Sequence, residues 1–161
     1  MSTLRFWLLT LGFDLYWALA VGLRERAVYA LVVIALLAWW ASDAALRLRV
    51  LAVALVGLAM DSLWLWLDLF HFADAQWVPL WMLSLWLAYA CWWPLCLHRY
   101  ALSGPLLAVL GAVVGPFTYY LGERLGGMEL TASPLKVFGL MAIGWAIYLP
   151  LTRRLLQRSE R

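Results

Sequence analysis

The chain has 161 residues, 66% of them hydrophobic and 13% charged, with a net charge of +3 and a mean hydropathy of +0.86. Soluble domains average about 45–50% apolar and about 25% charged residues, so this composition cannot cover a water-exposed surface and the solvent for most of the chain is lipid. The twelve Lys and Arg residues fall between apolar runs rather than in one patch, which argues against a nucleic-acid surface.

The first apolar run, Leu4–Gly22, follows the early Arg5 and has no small-residue cleavage site, so it reads as a retained first helix. Asp14 interrupts it near mid-span, one turn before Trp17 and Ala18. After Arg24-Glu25-Arg26 comes the shortest run, Val28–Ser42; were it re-entrant, the C-terminus would change sides. Four more follow, Val50–Phe70, Pro79–Leu97, Pro105–Leu121 and Leu135–Leu151. Most approach the roughly 20 residues that cross about 30 Å of hydrocarbon, and backbone groups in lipid must be satisfied within the segment, which dictates helices. The expected fold is all-α: a polytopic membrane protein of about six transmembrane helices in one bundle, a single domain over residues 1–161. No internal repeat is evident in the sequence.

Positive residues stay on the cytoplasmic side. With both termini inside, the inner set is Arg5, Arg47, Arg49, Arg99, Arg153, Arg154, Arg158 and Arg161, against Arg24, Arg26, Arg124 and Lys136 outside. Eight against four favours cytoplasmic termini. Trp is abundant, at twelve residues, and an interfacial belt is its simplest explanation. Trp39, Trp40, Trp77, Trp81, Trp92 and Trp93 fit an interfacial belt, whereas Trp17, Trp64, Trp66 and Trp86 lie deeper and either fill the core or line a pocket.

In the third run Asp61 falls near mid-membrane, where a carboxylate costs about 2.5–3.5 kcal/mol. On a continuous helix Asp61, Trp64 and Asp68 share one face, with Gly57 a turn before and His71 continuing outward. Such a stripe serves either proton chemistry or polar-headgroup binding; alternatively, a hydrogen-bonded Asp61 simply holds helices together. Asp68 and His71 read more simply as residues reaching interfacial water. Asp14 and Asp61 could share a proton if their helices met.

The fifth run continues Gly111, Gly115, Tyr119, Gly122 and Gly126 on one face, with Pro116 inside it and Tyr120, Glu123 and Arg124 beside it. Close helix packing is the simplest meaning. The functional alternative places Tyr119, Tyr120 and Glu123 around a site at which Arg124 holds a phosphate or carboxylate through its planar fork. Candidate ligand-binding residues are therefore Asp61, Trp64, Asp68, Gly115, Tyr119, Tyr120, Glu123 and Arg124, with Asp61 the best candidate for any proton transfer. No GxSxG, HExxH, P-loop or dinucleotide fingerprint is present. Cys91 and Cys96 have no metal-type spacing, and no His/Cys cluster suggests haem or zinc, so neither cofactor nor metal is expected.

Met60-Asp61-Ser62-Leu63, Pro79-Leu80-Trp81 through Leu85-Trp86, and the block from Gly111 through Gly115-Pro116, Tyr119-Tyr120 and Gly122-Glu123-Arg124-Leu125-Gly126 resemble a family of small bacterial inner-membrane proteins classed as a domain of unknown function. The first helix departs from that pattern in carrying Asp14. The resemblance implies a bacterial inner-membrane location, no established activity, and a genetic setting beside enzymes that act on membrane fatty acids, such as cyclopropane-synthase-like methyltransferases. Three functions stay open: a lipid or amphiphile binder linked to membrane-lipid metabolism, a proton-coupled carrier using Asp61, and a scaffold for membrane-protein partners or for a homo-oligomer.

Overall fold

Each apolar run folds as a helix in a computed structural model that describes residues 1–73 and 75–157. In chain order these are α1 (Thr3–Leu23), α2 (Val28–Ala41), α3 (Arg47–Trp66), α4 (Leu80–Arg99), α5 (Gly104–Arg124) and α6 (Pro134–Gln157). A 3-10 turn, Arg24–Ala27, leads into α2, and two short strands, β1 (Phe70–Phe72) and β2 (Met128–Leu130), pair antiparallel. Helices α3, α4, α5 and α6 are long and apolar enough to cross a membrane. Their outward faces are apolar as well: Leu55, Val109, Val113, Phe117, Ile143 and Ile147 are each more than half exposed. A helix that is apolar all round needs a lipid environment or a protein core to surround it.

Hydrogen bonds tie the helix ends together in two sets. At one end Arg99 donates to Thr3 (3.4 Å), Arg49 to the Leu156 carbonyl (3.1 Å) and Arg47 to the carbonyls of Trp40 and Ser42. At the other end Arg24 donates to the Gly126 carbonyl and Thr131 to the Asp68 carbonyl. Arg158 and Arg161 of the expected inner set lie outside the described residues.

The third helix is shorter than its apolar run suggests. It ends at Trp66 because Asp68 adopts a left-handed backbone (φ 52°), which lets the Asp68 and Leu69 N–H groups close on the Leu65 and Trp64 carbonyls. Helix α5 ends the same way: Gly126 (φ 74°) and Gly127 close on Glu123 and Gly122. Two residues after each left-handed position a strand begins, so the expected all-α chain contains a small β-ladder. Phe70 pairs with Leu130, His71 with Glu129 and Phe72 with Met128.

These parallels mark an internal repeat invisible in the sequence reading. A shift of 58 residues carries Gly57 to Gly115, Asp61 to Tyr119 and Asp68 to Gly126, and it maps the ladder onto itself with His71 and Glu129 at its centre. Beyond the strands the shift is 59 residues and carries Trp86 to Trp145, Tyr89 to Tyr148 and Trp93 to Thr152. Four of these pairs meet across the axis. Tyr119 bonds Asp61, Trp86 stacks on Trp145 (5.7 Å, 21°), the Tyr89 and Tyr148 rings lie 6.2 Å apart, and Trp93 donates to Thr152 (3.0 Å). The units α3-β1-α4 and α5-β2-α6 are thus related by a pseudo-two-fold axis along the helices, an arrangement known from membrane carriers built of parallel repeats.

Candidate functional site

Asp61 lies on the axis and is fully buried. Its Oδ2 accepts the indole N–H of Trp86 at 2.7 Å and its Oδ1 accepts the Tyr119 hydroxyl at 2.5 Å. Both distances fall in the range of charge-assisted hydrogen bonds, about 2.5–2.9 Å. Because both partners donate, they answer the cost of placing a carboxyl group at bilayer depth. Trp64 packs edge-on against the Tyr119 ring at 5.4 Å.

Glycines make room for the indoles. A Cβ on Gly57 would overlap the Trp86 ring, one on Gly115 the Trp145 ring and one on Gly111 the Trp145 carbonyl. The Gly111–Gly115 face of α5 is therefore occupied by α6 of the same chain. Symmetry breaks at the carboxyl: Tyr119 stands where a second acid would be and is committed to Asp61, so Trp145 Nε1 is buried without an acceptor, as is Trp81 Nε1, among the described residues.

Symmetry breaks a second time, and a cavity results. In the first repeat Trp64 packs against Gly144 of α6, 2.8 Å from where a Cβ would stand. At the corresponding places of the second repeat stand Gly122 and Leu85, and nothing lies within 4 Å of a Cβ added to Gly122. The absent indole opens part of a slot of about 490 Å³ between α1, α4, α5 and α6, with Gly122, Leu85, Gly115 and Tyr119 on its walls. Trp81 and Trp93 both line it, and their separation along α4 corresponds to about 18 Å of helix. Phe72, Gly127 and Met128 close the end nearest the β-ladder. Val114 and Phe117 line it while remaining more than half exposed, so the slot opens sideways between α1 and α5, toward lipid.

The sequence-derived candidates separate into two groups. Asp61, Trp64, Gly115 and Tyr119 converge on the axis, and the last two also reach the slot. Asp68 leaves the α3 face once the helix ends and forms an exposed pair with His71 at 3.2 Å, so the expected stripe from Asp61 through Asp68 to His71 does not exist. Tyr120 is exposed and packs edge-on to Phe138, Glu123 is half-buried and Arg124 is exposed. None of these three lines the slot. Asp14 is exposed on α1 and lies on the slot, while Asp61's two partners come from α4 and α5, so the two acids do not form the coupled pair considered above. Trp66 is exposed, whereas Trp81 and Trp93, assigned above to an interfacial belt, are buried. Cavity residues that the sequence did not reveal include Trp81, Leu85, Tyr89 and Trp93 of α4 and Thr118 of α5; the signal in the sequence is the aromatic density of α4.

Apolar helices, a buried acid on a pseudo-symmetry axis and a lateral apolar slot define a helical integral membrane protein with an internal repeat. Residues 6–151 match the family described as "Protein of unknown function (DUF2878)", and the chain belongs to that family. No curated protein and no solved structure matches it.

Proposed function

We propose that this protein binds a single lipid or other amphiphile in the slot, as a subunit or accessory of membrane-lipid metabolism. The observation that carries the reading is the replacement of Trp64 by Gly122 between the repeats, which opens an apolar volume where the other half is filled. Ligand sites typically measure about 300–1,000 Å³ and are lined by apolar side chains with few polar groups. The slot meets both criteria and faces the acyl region, so a lipid tail reaches it without crossing water.

In this reading all six helices cross the inner membrane with both termini cytoplasmic. Helix α2, about 21 Å long, spans with the help of the turn before it. Arg47, Arg49 and Arg99 at the end near Thr3 support that orientation. Asp61, sealed by two donors, acts in this reading as a structural centre. A scaffold role through the Gly111–Gly115 face is disfavoured because α6 occupies that face.

The test is the lipid profile of a strain lacking the gene, complemented at matched abundance with the intact protein or with Gly122→Trp. The reading expects a defined lipid class to change on deletion and to be restored by the intact protein alone. Identical profiles, or full restoration by Gly122→Trp, would remove the link to lipid metabolism.

A further inference from the structure

The slot carries information about what enters it. Eleven of its lining residues are aromatic, and among the described residues the only charged one is Asp14. Aromatic faces carry a negative quadrupole and attract cations, most strongly where water is excluded. Phe13 stacks on Trp92 at 4.7 Å and lies 6.1 Å from Tyr89, which fixes the level of the neighbouring Asp14 among these rings. Tyr89 adds its ring to the same wall. Its counterpart Tyr148 donates to the Val53 carbonyl at 3.1 Å, whereas Tyr89 borders the slot.

Behind Trp86 and Tyr119 stands Asp61. It accepts hydrogen bonds from Trp86 and Tyr119, two residues that line the slot, so two wall side chains direct their donors away from the cavity and into a carboxyl group. No Lys, Arg or His among the described residues lines the slot to receive an anionic headgroup. A carboxylate facing hydrocarbon is costly unless something pairs with it.

We propose that the slot selects a cationic amphiphile, one bearing a quaternary or protonated amine that seats at Asp14 among the rings of Phe13, Tyr89 and Trp92, with its apolar tail running toward Trp81 and the β-ladder. This rests on the slot being a ligand site and names the chemical class it takes. Aromatic walls and a single acid select for positive charge over a neutral group of equal shape, and an anionic lipid finds no cationic side chain among the described lining residues.

The experiment is a competition on the full chain in mild detergent, read by native mass spectrometry. The probes are hexadecyltrimethylammonium and its neutral isostere, in which a tert-butyl group replaces the trimethylammonium. The intact protein should bind the cation at least tenfold in preference to the isostere. Asp14→Asn should bring the two near parity while the isostere stays bound, and Asp14→Glu should keep the preference. Asp14 is exposed on α1, and an unchanged Tm checks that its variants fold. Equal binding of both probes by the intact protein overturns charge selection and leaves the slot a binder of apolar chains, and an undiminished preference in Asp14→Asn overturns the seat at Asp14. If neither probe binds, the ligand-site reading falls with it.

Discussion

Tyr119 of α5 donates its hydroxyl hydrogen to Asp61 of α3 at 2.5 Å, and the two residues occupy equivalent positions in the two repeats. One acid thus serves both halves. From its second oxygen the network continues through Trp86 to the Trp86–Trp145 stack, so the centre of the protein is one carboxyl group with two donors inside an aromatic column.

Replacing Asp61 separates the value of its charge from that of its shape. Asp61→Ala leaves the Trp86 N–H and the Tyr119 O–H unpaired in the interior, at about 1–3 kcal/mol each. Asp61→Asn keeps an oxygen for Trp86 and offers an amide N–H that the Tyr119 hydroxyl can accept. Thermal unfolding in detergent should therefore show Asn losing less than half of what Ala loses.

The two stacked indoles differ in what they donate to. Trp86→Phe strands an oxygen of Asp61, whereas Trp145→Phe removes an N–H that has no acceptor among the described residues. Trp86→Phe should be the more destabilising by about 1–3 kcal/mol, measured as the difference between the two variants in chemical unfolding.

Glycines should sort by what lies above them. Gly57→Ala and Gly115→Ala push a methyl group into an indole ring and should cost about 1–3 kcal/mol through overpacking. Gly12→Ala and Gly139→Ala meet nothing within 4 Å inside α1 and α6 and should be neutral or stabilising by up to about 1 kcal/mol. A Tm series across the four variants checks the ordering.

Arg124→Ala and Tyr120→Phe alter exposed side chains off the slot. Stability should stay within about 0.5 kcal/mol of the parent, and retention of bound amphiphile should be unchanged, as read by lipid extraction from the purified variants.

Helix existence was legible because long apolar runs admit little else, and Asp61 stood out because an acid at mid-span demands a partner. Its partners were half legible: Tyr119 lay on the glycine face of α5, but nothing in one sequence says which helices touch. The repeat stayed hidden for two physical reasons. Only scattered positions, such as Gly57/Gly115, Trp86/Trp145 and Tyr89/Tyr148, keep the same residue, and the offset slips from 58 to 59 residues after the strands. The ladder was hidden because Phe70-His71-Phe72 is too short to show a period and Phe70 belongs to the apolar run that begins at Val50, within which the left-handed Asp68 ends the helix. The slot was illegible because it arises from a difference between repeats, Trp64 against Gly122, and a difference cannot be read before the repeat is seen.

The proposed occupant of the volume beside Gly122 is an amphiphile. Native mass spectrometry of the full chain, purified in mild detergent, tests it against Gly122→Trp, which restores the indole that the first repeat carries at Trp64. A retained ligand of amphiphile mass is expected on the parent protein, and its loss from Gly122→Trp at unchanged Tm. A parent protein that carries no ligand, or a variant that retains the same ligand to the same extent, would contradict it.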